Sequence, residues 1–435
     1  MPDLWHCDVQ DSGRQGVDFT LTFLILWRFD FIDPIDSGEL GSQVLCMSQQ
    51  LAYVIITPYT LSKSRTGGIL ARLITRTGLE LVGARMFAPS PELVKRYSDV
   101  IVSADDPQDR KIQELIRDYV RQNFGPDHKT GLRRRVMVLL FQGDDAVRKV
   151  RSVVGNINAD RRTGETIRDT FGDYILDDTG AVRYFEPAVL AAPNLAEAQQ
   201  KARIWAEFSE NDGGVLEKTI TYGPGELPQR TLVLIKPDNF RFPTGRPGNV
   251  IDFFSRTGLF IVGIKVHRMS VADAIEFYAP VKEILRTKLK DVVGGRAKAA
   301  LEKELGFPVP PEETAKLGEI LGPLFGENQF ESIVRFMSGK SPAECDPARL
   351  KEAGSEKCIA LVYEGVNAVN KIRDVLGPTD PSKAPPGSIR REFGSNIMVN
   401  AAHASDSEDN AKREIAIVRV GENTFKKFID GFYSS

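Results

Sequence analysis

Cysteine and histidine are both scarce in this chain, and net charge is nearly absent. The four cysteines, Cys7, Cys46, Cys345 and Cys358, are scattered and form no C-x-x-C pair. That argues against a disulfide scaffold or a structural zinc site and fits a reducing compartment. The four histidines, His6, His128, His267 and His403, leave few places for histidine chemistry. A formal net charge of −2 removes the electrostatic case for a dedicated nucleic-acid or anionic-membrane partner. No apolar run reaches the ~18 residues of a membrane span. The closest, Phe19 to Ile32, is interrupted by Arg28 and Asp30, and Arg14 is the only basic residue before it. With no small-residue cleavage site after it, it does not fit a secretory signal. A cytoplasmic location is expected. At 435 residues the chain should hold two or three domains.

What the chain does have is a duplication. Thr75–Arg85 matches Ser255–Lys265, Leu139–Gly155 matches Leu361–Gly377, and Gly164–Gly172 matches Gly387–Gly394. The last two matches share one register, as a repeat requires. Residues 1–46 resemble nothing later, and Met47 opens a polar start that runs into a strand. Residues 1–46 are therefore read as a disordered extension or a mis-assigned start, with a docked tail as the equal alternative. Residues 47–206 form the first repeat, the Gly-, Pro- and acid-rich 207–229 the linker, and 230–435 the second repeat.

Each repeat has the same element order: a β-branched strand (53–57; 231–236), a helix, a strand (79–87; 259–267), a helix near Tyr97 or Tyr278, a strand (135–141; 358–363) and a helix (144–154; 366–376). A fourth strand must follow Arg168 or Arg390, where the signal is weak. β-α-β-β-α-β order predicts two ferredoxin-like α+β domains, each an antiparallel sheet covered by helices.

The second repeat carries Ile235-Lys236-Pro237-Asp238, then Arg373, Gly377-Pro378-Thr379-Asp380-Pro381, Pro386-Gly387-Ser388-Ile389-Arg390, and Asn400-Ala401-Ala402-His403-Ala404-Ser405-Asp406-Ser407, followed by Glu414. In this order and spacing it resembles the nucleoside diphosphate kinases along nearly all its length. The resemblance implies transfer of a γ-phosphoryl group from ATP or another nucleoside triphosphate to a nucleoside diphosphate, through a phosphohistidine on His403. It further implies that Glu414 and Ser405 orient His403, with Tyr278 as the helical tyrosine beside it. Lys236, Arg373, Arg390, Thr379 and Asn400 would hold phosphates and ribose hydroxyls, as a reaction run on positioning and charge requires. Mg²⁺ would bridge the phosphates with few protein ligands, so no metal-binding residue is named. Identical paired domains in the family imply an intramolecular pseudo-dimer of the two repeats, with a higher oligomer possible. Ser405-x-x-Glu408 also reads as a helix capping box. Gly339-Lys340-Ser341 is no P-loop, because Val334 stands where that motif needs glycine.

The chain departs from the family in places. The base-stacking aromatic falls at Gln329, with Phe330 beside it as a replacement. Ala404 replaces a glycine after the histidine. Helical insertions lie near 285–328 and 340–356. In the first repeat, Thr57 stands at the lysine, Ile157 at the threonine, and no histidine occurs in Val189–Asn194; Arg151 and Arg168 survive. That repeat is read as a noncatalytic copy able to bind anions weakly. A nucleotide-sensing or scaffolding module with little turnover is the competing function.

Overall fold

In the computed structural model, residues 49–158 and 163–434 are described, and they belong to one compact unit. The 1–46 tail, with its Phe19–Ile32 run, Cys7 and Cys46, lies outside the described residues.

The first repeat runs β1 (Gln49–Ile56), α1 (Pro58–Ser62), α2 (Thr66–Thr77), β2 (Glu80–Phe87), α3 (Pro91–Asp99), α4 (Arg110–Asn123), β3 (Val136–Asp144) and α5 (Ala146–Val154). It ends with α6 (Ile167–Phe171), a hairpin of β4 (Asp173–Leu176) and β5 (Val182–Glu186), β6 (Val189–Ala191) and α7 (Leu195–Asp212). The second runs β7 (Pro228–Ile235), α8 (Arg246–Phe254), β8 (Phe260–Arg268), α9 (Val271–Lys288), α10 (Lys290–Leu305), α11 (Pro311–Ser338), β9 (Lys357–Val366) and α12 (Ala368–Leu376). It closes with α13 (Ile389–Phe393), β10 (Ala402–Ala404), α14 (Glu408–Val418) and α15 (Thr424–Ser434).

The two main sheets are ordered β2-β3-β1-β6 and β10-β7-β9-β8, and their neighbouring strands pair antiparallel. This is the α+β, ferredoxin-like arrangement expected from the element order. Irregularities recur too. Both second strands bulge, between Leu81 and Gly83 and between Ile261 and Gly263. Asp145 (φ 54°) and Asn367 (φ 57°) occupy the left-handed region ahead of α5 and α12, a place short polar side chains tolerate. The missing fourth strands are β6 and β10. At three residues each, they are too short to show alternation.

The linker expectation needs correcting. Residues 207–212 are the last turns of α7, where Ser209 and Asp212 are buried. The chain beyond is pinned to both sheets: Gly214 N–H donates to Met86 O (2.9 Å) and Leu216 N–H to Val262 O (2.8 Å). Glycine-rich sequence suggests freedom, but here the backbone supplies the bonds that hold it. The 285–328 insertion extends α9 and builds an α10–α11 hairpin; the 340–356 insertion is a loop with two short 3-10 turns.

The repeats meet along their second strands through paired contacts. Arg135 Nη1 donates to Ile261 O (2.7 Å), and at the equivalent place Lys357 Nζ donates to Leu81 O (3.3 Å). Helix α15 leaves its own repeat to pack on α7. Phe425 lies 5.6 Å from Phe87, whose other neighbour is Trp205 at 4.9 Å, and Asn423 Nδ2 donates to Ser209 Oγ at 2.8 Å. Helices α2 and α8 touch backbone to backbone: a Cβ on Gly248 would lie 2.3 Å from Gly67 O and 2.4 Å from Ala71 N.

That contact gives a prediction of diagnostic sign. Ala in place of Gly inside a helix normally gains about 0.8–1 kcal/mol. Gly248→Ala should instead lose about 1–3 kcal/mol, because the neighbour is backbone and cannot rotate away. Urea unfolding of the full chain measures it; a more stable variant would mean that α2 and α8 do not pack here.

Candidate functional site

The site is built on β10. His403 pairs with Leu234, and Ala402 with Ile235. The strand is entered through a γ-turn: Ala402 N–H donates to Asn400 O (2.9 Å) around Ala401 at φ 70°, a rare and strained turn. Ala401 O receives Lys236 N–H (2.9 Å) and Asn239 Nδ2 (2.7 Å), and its N–H donates to Asp238 Oδ2 (3.3 Å).

His403 is partly exposed, with its Nε2 3.0 Å from the buried Oε2 of Glu414. Ser405 Oγ donates to that same oxygen at 2.6 Å. A carboxylate only accepts, so the ring proton sits on Nε2, leaving the Nδ1 lone pair as the nucleophilic one. The rings of Phe277 and Tyr278 meet the imidazole edge-on, with centroids 4.9 and 6.2 Å away. Burial, then the charge of Glu414, pushes the Tyr278 hydroxyl well above its ordinary pKa, so it stays a neutral phenol. Arg413 donates to Glu276 O (3.0 Å) and Phe277 O (3.2 Å), tying α14 to α9. The cap of α14 is Ser407, whose Oγ accepts Asn410 N–H (3.1 Å). Ser405 is therefore not the capping residue that the Ser-x-x-Glu spacing suggested.

Cations gather beside this histidine. Lys236 Nζ donates to Asn400 Oδ1 (2.9 Å) and to Met398 O, and lies 4.9 Å from the Phe336 ring centre. Burial brings its pKa down to about 8; the charge of Arg390 adds to this and that of Asp238 opposes it. Arg390 Nη1 donates to Gly377 O (3.0 Å) and Thr379 Oγ1 (3.5 Å), and Nη2 to Ala402 O (3.2 Å). Its Nε is buried without a partner. Burial, with Arg373 nearby, lowers its pKa to about 10. Asn400 Nδ2 donates to Thr379 O (3.0 Å). Arg373 and Thr379 are exposed at the end of α12 and beyond it. Asn410's hydrogen bond, with help from Arg373, holds the Asp406 carboxyl below its usual range. A group this rich in donors suits phosphate oxygens.

Two positions depart from expectation. Phe330 is 2% exposed, with Lys282 Nζ 5.0 Å from its ring centre, so its face is not offered to a base. Gln329 is half-buried. The aromatic of α11 that does reach the site is Phe336. Sequence reading also passed over Phe277, Asp238, Asn239 and Arg246. Asp238 sits inside the lysine motif and could have been noticed; the others carry no local signal.

The first repeat has the same frame with different contents. Leu190 pairs with Ile55 as His403 pairs with Leu234, so a leucine occupies the histidine's place. By the match of Thr75–Arg85 to Ser255–Lys265, with Ser90 and Ser270 as the N-caps of α3 and α9, Tyr97 corresponds to Phe277, not Tyr278. The γ-turn persists at Ala188 (φ 61°), its N–H donating to Glu186 Oε1 (3.1 Å). Glu186 also accepts from Thr57 Oγ1 (2.8 Å) and the Tyr119 hydroxyl (2.5 Å), and burial raises its pKa. Arg168 is committed to Gly155 O (2.8 Å) and Val189 O (3.3 Å). The cavity between Arg168 and Glu186 is about 20 Å³, too small for a phosphate. Arg168, expected to help bind an anion weakly, is thus held by backbone carbonyls beside a narrow cavity.

Among the described residues no group of three or more His, Cys, Asp or Glu could hold a metal ion. The donors here suit phosphate, so the Mg²⁺ that the resemblance implies fits as an ion carried in on the nucleotide. No helix among the described residues is long and apolar enough to cross a membrane.

A sequence profile described as nucleoside diphosphate kinase matches residues 50–206 and 347–422, together more than half of the chain. Among curated proteins, the nucleoside diphosphate kinase of Campylobacter hominis is 33% identical over 193 residues, covering 44% of this chain and 96% of its own length. That of Wolinella succinogenes is 33% identical over 188 residues, covering 43% and 93%. A crystal structure of the Aquifex aeolicus nucleoside diphosphate kinase is 27% identical, covers 44% of this chain and 95% of that one, and has a TM-score of 0.28.

The buried lysine sets a pH expectation. A phosphate contact needs the ammonium, which is lost as pH rises through the folded pKa of about 8. The kcat/KM profile, which reports the free enzyme, should therefore fall on its alkaline side near pH 8. In Lys236→Arg, whose guanidinium keeps its proton, that limb should vanish. A limb unmoved by the substitution would assign it to another group.

Proposed function

Because the chain belongs to the nucleoside diphosphate kinase family, we propose that its second repeat transfers phosphoryl groups between nucleotides by a two-step exchange through His403. In the first step Nδ1 attacks the γ-phosphorus of a nucleoside triphosphate. The N–P bond forms, the P–O bond to the β-phosphate breaks, and the nucleoside diphosphate leaves with the bonding pair. In the second step the terminal oxygen of another diphosphate attacks the same phosphorus and the N–P bond breaks, restoring the imidazole. Glu414 holds the ring and balances its charge while Nδ1 carries the phosphoryl group. Lys236, Arg390 and Arg373 match the charge that builds on the transferring oxygens. Tyr278 and Phe277 restrict the ring plane. The observation that carries this reading is the Glu414–His403 bond, because it assigns the proton to one nitrogen and leaves the other reactive.

We further propose that the two repeats act as an intramolecular pseudo-dimer in which the noncatalytic copy stabilises the catalytic one. The mirrored contacts of Arg135 and Lys357 support this, as does the docking of α15.

With γ-labelled ATP the protein should take up one acid-labile, base-stable label. His403→Ala should abolish labelling and exchange although its first repeat is intact. Lys236→Ala and Arg390→Ala should each lose about 1.5–3 kcal/mol of transition-state binding, roughly tenfold to a hundredfold in kcat/KM. Nucleotide binding without a label in the unaltered protein would instead mark a sensing module, and full exchange by His403→Ala would end the assignment.

Residues 223–227, which are exposed, offer a place to cut between the repeats. The nicked halves should co-elute on gel filtration and stay active. Halves that separate freely, with the C-terminal half fully active by itself, would remove the pseudo-dimer.

A further inference from the structure

Asp238 stands in the lysine motif without an assigned role, and Arg246 lies outside every motif. Both are bonded to the segments that carry the reacting groups. Asp238, 6% exposed, accepts at Oδ2 from Arg246 Nη2 (2.9 Å) and from Ala401 N–H (3.3 Å). Arg246 Nε donates to Asn239 Oδ1 (3.0 Å), and Nη2 also reaches Phe393 O. Asn239 Nδ2 returns to Lys236 O (2.9 Å) and Ala401 O (2.7 Å). One ion pair thus joins three pieces of chain. The first is the turn after β7 that begins at Lys236; the second is the γ-turn between Asn400 and His403. The third is α13, where Arg390 lies one turn before Phe393.

We propose that Asp238 and Arg246 are positioning residues for phosphoryl transfer, setting Lys236, Arg390 and the Ala401 turn at fixed distances from one another. The inference rests on the reading of His403 as the phosphoryl carrier. Two observations favour positioning over plain stability. Asp238 Oδ1 is buried with no hydrogen-bond partner, a cost that a pair kept for stability alone would be expected to avoid. The noncatalytic repeat, which has the same γ-turn, lacks the pair. Tyr59 stands at Asp238's place, and Thr66 at Arg246's, counting back from Thr77-Gly78 and Thr257-Gly258. There Glu186 takes the Ala188 N–H and no arginine link is made from this position. The turn itself therefore needs a carboxylate, but the arginine cross-link occurs only where Lys236, Arg390 and His403 must act together.

The test compares the full chain with Asp238→Asn, Arg246→Lys and Arg246→Met. It uses single-turnover labelling by γ-labelled ATP well below each variant's melting temperature, alongside steady-state kcat and KM. Lysine keeps a charge near Asp238 but cannot serve Asp238, Asn239 and Phe393 O together. Misplacement of about 1 Å at a reacting centre can cost on the order of a hundredfold. Arg246→Lys should therefore label ~10–100-fold more slowly, with the loss in kcat and little change in KM. Arg246→Met should label more slowly still. If Asp238→Asn fails to fold, the charge-retaining Arg246→Lys decides. Variants that melt lower yet label at the unaltered rate would show a structural role and overturn the proposal. An unaltered chain that takes no label would overturn the reading beneath it as well, so the two failures are distinguishable.

Discussion

The backbone ladder that joins Ala402–Ala404 to Val233–Ile235 is three residues long, and the site hangs from it. His403 projects from its middle residue, and Lys236 begins where its partner strand ends. So short a strand cannot hold itself by pairing alone. Side chains finish the work: Ser405 and Glu414 below the histidine, Asn239 and Asp238 at the turn above it. Each satisfies a buried polar group that would otherwise be stranded, and each, on the proposed mechanism, also fixes a reacting group. Satisfying the backbone and, on that mechanism, aligning the chemistry are here the same set of bonds.

The first repeat shows how little of this the fold itself demands. It keeps the sheet order, the bulge, the left-handed residues and the strained turn, yet it has a leucine where the second repeat has the histidine and Glu186 bonded to the turn. Strain at Ala401 is therefore a property of how the chain enters its last strand. What distinguishes the second repeat is the identity of the side chains mounted on that frame.

Much of this was legible in the sequence, for reasons that differ by element. Strands of eight or more residues such as β1 and β9 announce themselves by composition, and the duplicated segments fix the register between repeats. The phosphate-side residues lie in contiguous motifs, so order and spacing reach them. Phe330 illustrates the opposite case. It lies inside the 28-residue helix α11, where neighbours differ by about 100° in direction, so counting along the chain cannot tell which of Gln329 and Phe330 turns inward. Phe336, two turns on, takes the half-buried place beside Lys236. The connection between repeats was misjudged because its bonds are made by backbone groups at Gly214 and Leu216, which composition does not register. Phe277 and Arg246 are visible only once distant segments are brought together.

The crossing of α15 makes the first repeat depend on a helix that follows the whole of the second. Phe87 and Trp205 are made early, but the ring that covers Phe87, Phe425, comes from the last helix. Ribosomal synthesis proceeds from the N-terminus. The repeat that emerges first must therefore leave an aromatic surface open until α15 leaves the tunnel. Folding of the older half is completed by the newest. Damage confined to α15 would thus be felt first in the repeat that lacks the histidine.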